Sequence, residues 1–419
     1  MHLPRRTLLG SALATIATAP FGALRTARAQ GAQGAQPVLR LGVLTDLSGP
    51  YRDTGGPGSV ACTRQAAEEA QAALPGLRVE VLQADHQNKP DVGAGIARQW
   101  FDREGVDAVV DVPNSTVGLA VGEVCREKDK VFLASGPATT DLTGPRCAPT
   151  TVQWTFDTYM LARSTGGALV EAGRKTWFFL AADYAFGHAL QRDATTFIEG
   201  AGGRVLGSVS YPFPQTSDFS SFLLQAQASG AKVLALANAG TDTINSIKQA
   251  AEFGLTGAGT TIAAMLMFIP DVHALGLEAA RGLVLTETFY WDLNDRTRAF
   301  TQRALPRMNP NWRPDMEHAG SYAAALHYLK AAADLGAAEA KRSGAAAVAR
   351  MKAMPTDDDA FGPGRIREDG RKLHPAYLFE VKQPAESKGP WDYYKLVATT
   401  PADQAARPLD QGGCPLVHG

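Results

Sequence analysis

The chain reads as an α/β protein built of two doubly wound, Rossmann-like lobes with a ligand cleft between them. Three observations predict this. From Leu39 onward, short β-rich runs alternate with stretches at helical spacing, the pattern of a parallel sheet with crossover helices. The alternation falls into two series of four strands each. The length, 419 residues of which 390 remain after a 29-residue leader is subtracted (419 − 29), suits two domains better than one.

The leader comes first in the chain. Pro4, Arg5, Arg6, Thr7, Leu8 and Leu9 precede an apolar run ending near Leu24, and Ala27-Arg28-Ala29 follows. Residues 1–29 therefore read as a twin-arginine signal peptide cleaved after Ala29, with the periplasm as destination. An ordinary Sec leader containing a chance Arg pair is the alternative. The apolar run is too short and too rich in Ala, Gly and Thr to span about 30 Å of hydrocarbon. No cysteine follows the cleavage site to carry a lipid.

The first strand series is Leu39–Leu44, Leu77–Leu82, Asp107–Val112 and Val131–Ala134, with helices starting near Gly58, Asp91 and Val117. The second is Thr176–Ala181, Val205–Val209, Val233–Ala237 and Thr261–Met265, with helices after Phe186, Asp218 and Thr241. Thr151–Phe156 joins the series without a linker-length turn signal and reads as a β-type connector. Beyond the second series, Leu283–Tyr290 is strand-like again and leads to helices from Thr297 and over Met316–Leu335, where the chain returns to the first lobe. Ala337–Ala353 has helical spacing, a third crossing falls near Pro355–Ala360, and strands follow at Tyr377–Val381 and Trp391–Val397. The expected domains are 37–155 with 284–355 as lobe 1, 156–283 with 356–383 as lobe 2, and 384–419 as a C-terminal strand and tail.

Composition removes several function classes. Lys plus Arg number 41 against 42 Asp plus Glu, with no basic stripe interleaved with aromatics, so nucleic acid is not an expected partner. The eight histidines are scattered and the cysteines lack metal-type spacing, so no metal is expected. His188, His273 and His327 read as surface or satisfied core histidines. Cys62, Cys125, Cys147 and Cys414 allow three connectivities. The favoured bond is Cys147–Cys414, which would tie down the tail, while Cys62 and Cys125 read equally well as free buried thiols.

An enzyme reading rests on Gly56, Pro57, Gly58 and Ala61, which fit G-x-G-x-x-A, with Asp85 ending the next strand. The spacing defeats it, because a dinucleotide fingerprint sits in the turn directly after the first strand and Gly56 lies well beyond Leu44. No H-E-x-x-H, G-x-S-x-G or P-loop occurs. No cofactor and no catalysis are expected.

What the chain does carry is a set of turns of small hydroxyl, amide and glycine residues at strand ends, where open α/β sheets bind ligands. Asn114, Ser115 and Thr116 follow one strand and Ser135 to Thr140 the next. Such turns cap helices whose N–H groups and dipoles suit a carboxylate, although plain N-capping explains any single one. Asp183 to Gly187 and Asn238 to Asp242 repeat the pattern in the second series.

These residues resemble the branched-chain amino acid type of periplasmic binding proteins. The resemblance covers nearly all of the mature chain and is carried, in order, by LTDLSGPYRDTG at Leu44–Gly55, by the turns Asp111–Val121 and Ser135–Thr143, and by D-Y-A-F-G at Asp183–Gly187. It implies a type I periplasmic binding fold with three hinge crossings and an ABC permease as partner. It implies further that Asn114, Ser115, Ser135, Ala138 and Thr139 hold a ligand carboxylate and that Phe186, where the family often has Tyr, caps the ligand. Asp242, with Asn238 and Gly240 in its turn, stands where amino acid binders place an acid for the ligand's ammonium group. Tyr51, Tyr184 and Tyr290, the last beside Phe289 and Trp291, offer an aromatic wall, with hinge packing as the alternative for the 289–291 cluster. The expected ligand is a small carboxylate with an apolar body, either a hydrophobic amino acid or an aromatic acid, bound to a monomer. A ligand sensor of the same fold is the second expectation and an exported enzyme the last.

Overall fold

The computed structural model describes residues 37–417, so the leader at 1–29 lies outside the described residues. Four strands of the first series, β1 (Val38–Thr45), β2 (Arg78–Asp85), β3 (Ala108–Asp111) and β4 (Val131–Ala134), are joined by a fifth, β5 (Thr151–Gln153). Their order is β2-β1-β3-β4-β5, all parallel. The connector expected at 151–156 thus starts as an edge strand. Strands β3 and β4 are buried along their whole length, which is why they read as unbroken apolar runs rather than alternating ones.

The second sheet holds β6 (Thr176–Ala182), β7 (Arg204–Tyr211), β8 (Val233–Ala237) and β9 (Thr261–Ala264) in the order β7-β6-β8-β9, again parallel. Both sheets therefore reverse strand order, between β1 and β3 and between β6 and β8. At such switch points adjacent loops diverge and leave a crevice.

The remainder of the chain departs from its expected assignment in two places. Strand β10 (Val284–Glu287), taken as the start of the return to lobe 1, pairs antiparallel with a later strand of the third sheet, and its Thr286 bonds Thr165 at 2.8 Å. Residues 356–373, assigned to lobe 2, carry the hairpin β11 (Arg365–Ile366) and β12 (Lys372–Leu373), and they lie against β5. The guanidinium of Arg371 donates to the carbonyls of Gln153 and Trp154 at 3.1 and 2.9 Å and pairs with Asp157 at 2.8 Å. A buried guanidinium needs several acceptors, and the bend after β5 supplies them. The chain then forms β13 (Ala376–Val381) and β14 (Tyr394–Thr400), which complete the sheet β10-β13-β14.

Asp315 caps the helix Met316–Leu335 by accepting from the N–H groups of Glu317 and His318 at 2.9 and 3.0 Å. Nearly all of its first seventeen residues are buried, against the helix Gly56–Ala73. Gly58 permits that close approach, since a Cβ there would run into the His318 ring. The segment 337–353 forms two helices, Ala337–Arg342 and Gly344–Ala353. Cys147 and Cys414 are bonded, with Cα atoms 5.6 Å apart, while Cys62 and Cys125 are buried free thiols. Among the described residues no helix is long and apolar enough to cross a membrane.

Candidate functional site

The turn after β1 is shaped by one carboxylate. Asp46 accepts from the N–H groups of Ser48, Gly49 and Tyr51 at 3.2, 2.6 and 2.9 Å and from Asn88 Nδ2 at 2.7 Å. The loop wraps around it and presents the Tyr51 ring. After β3, Asn114 caps the helix Ser115–Lys128 by accepting from Thr116 and Val117 N–H at 2.9 and 3.1 Å. The next turn is tied to this one, because Ser115 Oγ accepts from Thr139 N–H at 3.2 Å. Gln153 Nε2 holds it from below through the carbonyls of Pro137 and Thr139. Ser135 Oγ bonds Ser321 Oγ at 2.8 Å and donates to Asp111 at 3.3 Å.

On the second sheet, Tyr184 ends the turn after β6 and the helix Ala185–Gly200 begins. After β8, the Asn238 side chain is consumed by Thr243 and Ser246 at 2.8 and 3.1 Å. Gly240 has φ of +61°, and a Cβ there would collide with the Pro50 carbonyl of the facing loop, so only glycine lets the two loops meet. Asp242 is buried and accepts from Tyr211 Oη at 2.7 Å. Burial pushes its carboxyl up to about 6, against the opposing pull of that bond.

Between the two sets of turns lies a tightly shut cleft with free room of only ≈ 10 Å³, about that of one water. Tyr51 and Thr54 enter it from beyond β1, Pro113 from β3, Gly136 and Ala138 from β4, and Phe156 from β5. Tyr184 and Phe186 enter from beyond β6, Ala239 from β8, and Leu266 and Phe268 from β9, while Glu317 comes from the long helix. All but Glu317 sit just past the carboxyl end of a parallel strand, the position at which doubly wound sheets bind ligands. Three larger depressions, beside the Cys147–Cys414 bond, beside β14 and beside the start of the helix Asp295–Ala304, lie away from these strand ends.

The cavity is closed by direct bonds between the two sheets' loops. Tyr51 Oη and Tyr184 Oη are 2.5 Å apart, and both rings stack on Phe213 at 5.4 and 4.6 Å. Thr241 N–H donates to Pro50 O at 3.3 Å and Ala185 N–H to Thr116 Oγ1 at 3.3 Å. Tyr51, Phe156, Tyr184, Phe186 and Phe268 make its wall aromatic. Its polar groups are few. The N–H groups of Gly136 and Ala138 have no acceptor among the described residues. Glu317 is 2% exposed and its Oε1 has no hydrogen-bond partner. Burial, with Asp111 and Asp315 nearby, pushes its carboxyl well above the usual range, and burial raises Asp111 to about 6.

Of the residues expected to contact ligand, the cavity gathers Tyr51, Ala138, Tyr184 and Phe186. Asn114, Ser115, Ser135, Thr139 and Asn238 stand behind it, and their side chains hold the turns together. Gly240 and Asp242 belong to the closing surface and to the layer behind the tyrosines. Tyr290 packs on Phe379 and Tyr394 at 5.5 and 5.1 Å and donates to Trp391 O at 3.2 Å, which is hinge packing. Thr54, Pro113, Gly136 and Ala239 lie in turns the sequence marks without being singled out as contacts, and the residues the sequence reading passes over are Phe156, Leu266, Phe268 and Glu317. Phe156, Leu266 and Phe268 follow strand ends as the others do, and that position was the available signal. Glu317 had none, since its helix arrives from a distant part of the chain.

Comparison with known proteins agrees with this architecture. The sequence model of one family, described as periplasmic binding protein, matches residues 38–390. A solved periplasmic binding protein from Burkholderia mallei is 44% identical, with a TM-score of 0.86 over 90% of this chain and 99% of the other. A branched chain amino acid ABC transporter periplasmic ligand-binding protein from Burkholderia xenovorans is 37% identical, with a TM-score of 0.78 over 90% and 99%. A solute-binding protein of an ABC transporter from R. palustris, solved with benzoate, shares the fold at 20% identity and a TM-score of 0.76 over 90% and 100%. A search of curated protein sequences finds no match.

Proposed function

Because the chain belongs to the periplasmic binding protein family, the substrate-binding components of ABC transporters, we propose that it captures a small organic carboxylate with an apolar or aromatic body. The observation that carries this reading is the shut cleft at the strand ends of both sheets, with five aromatic rings in its wall and Gly136 and Ala138, whose N–H groups have no acceptor among the described residues, in its lining. Rings supply apolar contact. The N–H pair supplies the donors a carboxylate needs once it leaves water.

The mechanism follows from the bonds across the cavity. A ligand that touches both sets of turns does so only in the closed form, so it shifts the hinge equilibrium by its differential affinity for that form. The Tyr51–Tyr184 and Thr241–Pro50 contacts form at the same time and hold the closed form that a permease reads. The 37%-identical relative is described by branched chain amino acids and a 20%-identical one holds benzoate, and both are carboxylates with apolar bodies. Delivery to the periplasm by the twin-arginine leader is part of the same proposal. A thermal-shift screen of hydrophobic amino acids and benzoates tests it. Stabilisation by a member of either class is the expected result, and no shift with any of them contradicts it.

A further inference from the structure

We propose that the C-terminal tail, residues 401–414, positions the first lobe for closure: it crosses over from the second lobe, is fastened by Cys147–Cys414, and fixes the turn 139–147 that the second lobe grips when the cleft shuts. The inference rests on the closing cleft proposed above and goes beyond it to what keeps that cleft closed.

The tail starts on the second lobe. Strand β14 completes the sheet β10-β13-β14, whose Leu285, Phe379 and Tyr394 share a core with Leu234 of β8 and Ile262 of β9. Its last residues, Ala398 to Thr400, line one depression with Thr196 and Phe197 of the helix Ala185–Gly200. Past Thr400 the chain leaves that lobe along the hairpin β11–β12, which lies against β5. Arg365 pairs with Asp403 at 2.9 Å, and Arg367 Nη1 donates to the Arg407 carbonyl at 2.8 Å. Ala405 and Ala406 are buried there. The tail then reaches the first lobe. Arg407 Nη2 donates to Thr140 O at 3.0 Å, and Cys414 is bonded to Cys147. Between the two anchors the tail lies directly on Gly144, where a Cβ would come within 2.8 Å of Gly412 O and 2.9 Å of Arg407 Nη2. Bare backbone at Gly144 lets the tail seat.

The same turn is held from its other flank by the second lobe. Thr140 is buried, and its Oγ1 donates to Asp193 Oδ2 at 3.1 Å and accepts from Arg192 Nη2 at 3.0 Å. Arg192 also pairs with Asp141 at 3.6 Å, and Thr158 Oγ1 donates to Asp193 at 2.6 Å. Thr140 is thus gripped twice, by its side chain from the helix Ala185–Gly200 and by its carbonyl from the tail. Two residues earlier, Ala138 lines the cleft.

The order of magnitudes shows why the tail matters. Arg192 is half exposed, and an ion pair in water contributes little. The buried Thr140–Asp193 bond contributes more, but only where Thr140 is already in place. A loose turn would have to be ordered at every closure, at a conformational cost for each residue fixed. Anchored by Arg407 at one end and Cys414 at the other, the turn meets the second lobe in order. A strap joined to both lobes also limits how far they part.

Calorimetry and stopped-flow kinetics with L-leucine, L-phenylalanine and benzoate as probes test this, on the parent, Cys147→Ser/Cys414→Ser, Thr140→Val, and the three substitutions combined. Loss of a disulfide lowers stability wherever it sits, so the deciding readout is the coupling between sites. The serine double variant should bind its probe about five- to tenfold more weakly, through faster dissociation with little change in association. Thr140→Val removes the hydroxyl the helix grips and leaves the carbonyl, and it should weaken binding to a similar degree. In the combined variant the serines should add almost nothing, because the grip the tail supports is already gone. Where the serine variant does not fold, Arg407→Ala, which keeps the disulfide, should give the same loss and the same lack of additivity. Unchanged affinity, or losses that simply add, would overturn the inference and leave the cleft reading standing. Should none of the probes bind, the ligand reading fails, and small-angle X-ray scattering of the ligand-free proteins still decides the inference. The serine double variant should show a larger radius of gyration than the parent, and equal radii would overturn it.

Discussion

Glu317, like Glu287 and Asp315, is a buried carboxyl in an environment far from what its side chain prefers in water. A buried carboxyl with a raised folded-state pKa holds more protons folded than unfolded. Its contribution to stability is complete below about pH 4 and is lost as pH rises through the folded value. Glu317, pushed well above its usual range, should therefore destabilise the unliganded protein increasingly as pH rises above about 4. The neutral isostere Glu317→Gln escapes this, so its melting temperature should rise relative to the parent as pH increases. A constant difference would contradict the assignment. Buried His86, His318 and His327, lowered to about 4, act in the opposite direction but are common to both proteins and cancel. The serines make a contrasting case. Ser115 and Ser135 hold turns together, so Ser115→Ala and Ser135→Ala should each cost about 1 kcal/mol of stability. Chemical denaturation checks this, and an affinity loss without a stability loss would place them in contact with ligand.

At the scale of elements, the turns decide the site. Strands β3, β4 and β8 were legible because burial on both faces leaves continuous apolar runs, and the turns after them because Asn, Ser, Gly and Thr cluster there. Sequence spacing could not say which way each side chain of a turn faces. Ser115 and Ser135 turned inward to bond Thr139, Ser321 and Asp111, while aromatic rings line the cleft. Short segments without periodicity were also mute about their sheet partners. The hairpin at 365–373 joined β5, and β10 joined β13, through contacts made far along the chain. Gly240 belongs to this scale because it lets one loop meet another. Gly240→Ala places a Cβ against Pro50 O and strains a φ of +61°. It should weaken ligand binding by about tenfold or more through impaired closure, while far-ultraviolet circular dichroism stays unchanged. Unaltered affinity would show that the two loops need not meet.

At the scale of the molecule, the account is of two sheets whose switch points face each other across one small cavity, with the Cys147–Cys414 bond fastening the tail to the turn before β5. The two-sheet plan was readable from the alternation of runs. The cavity wall was only partly readable, because it is assembled from seven strand ends and one helix that meet only in the folded chain. Its central claim is that ligand is held inside that cavity and nowhere else on the surface. Ala239 is buried and lines that cleft, and Ala239→Trp would set an indole where a ligand has to sit. Calorimetric titration of the parent and of Ala239→Trp with the tightest ligand from the screen is the deciding measurement. One-site saturation in the parent and no measurable binding in a folded variant is the result predicted. Equal affinity in both would contradict the account.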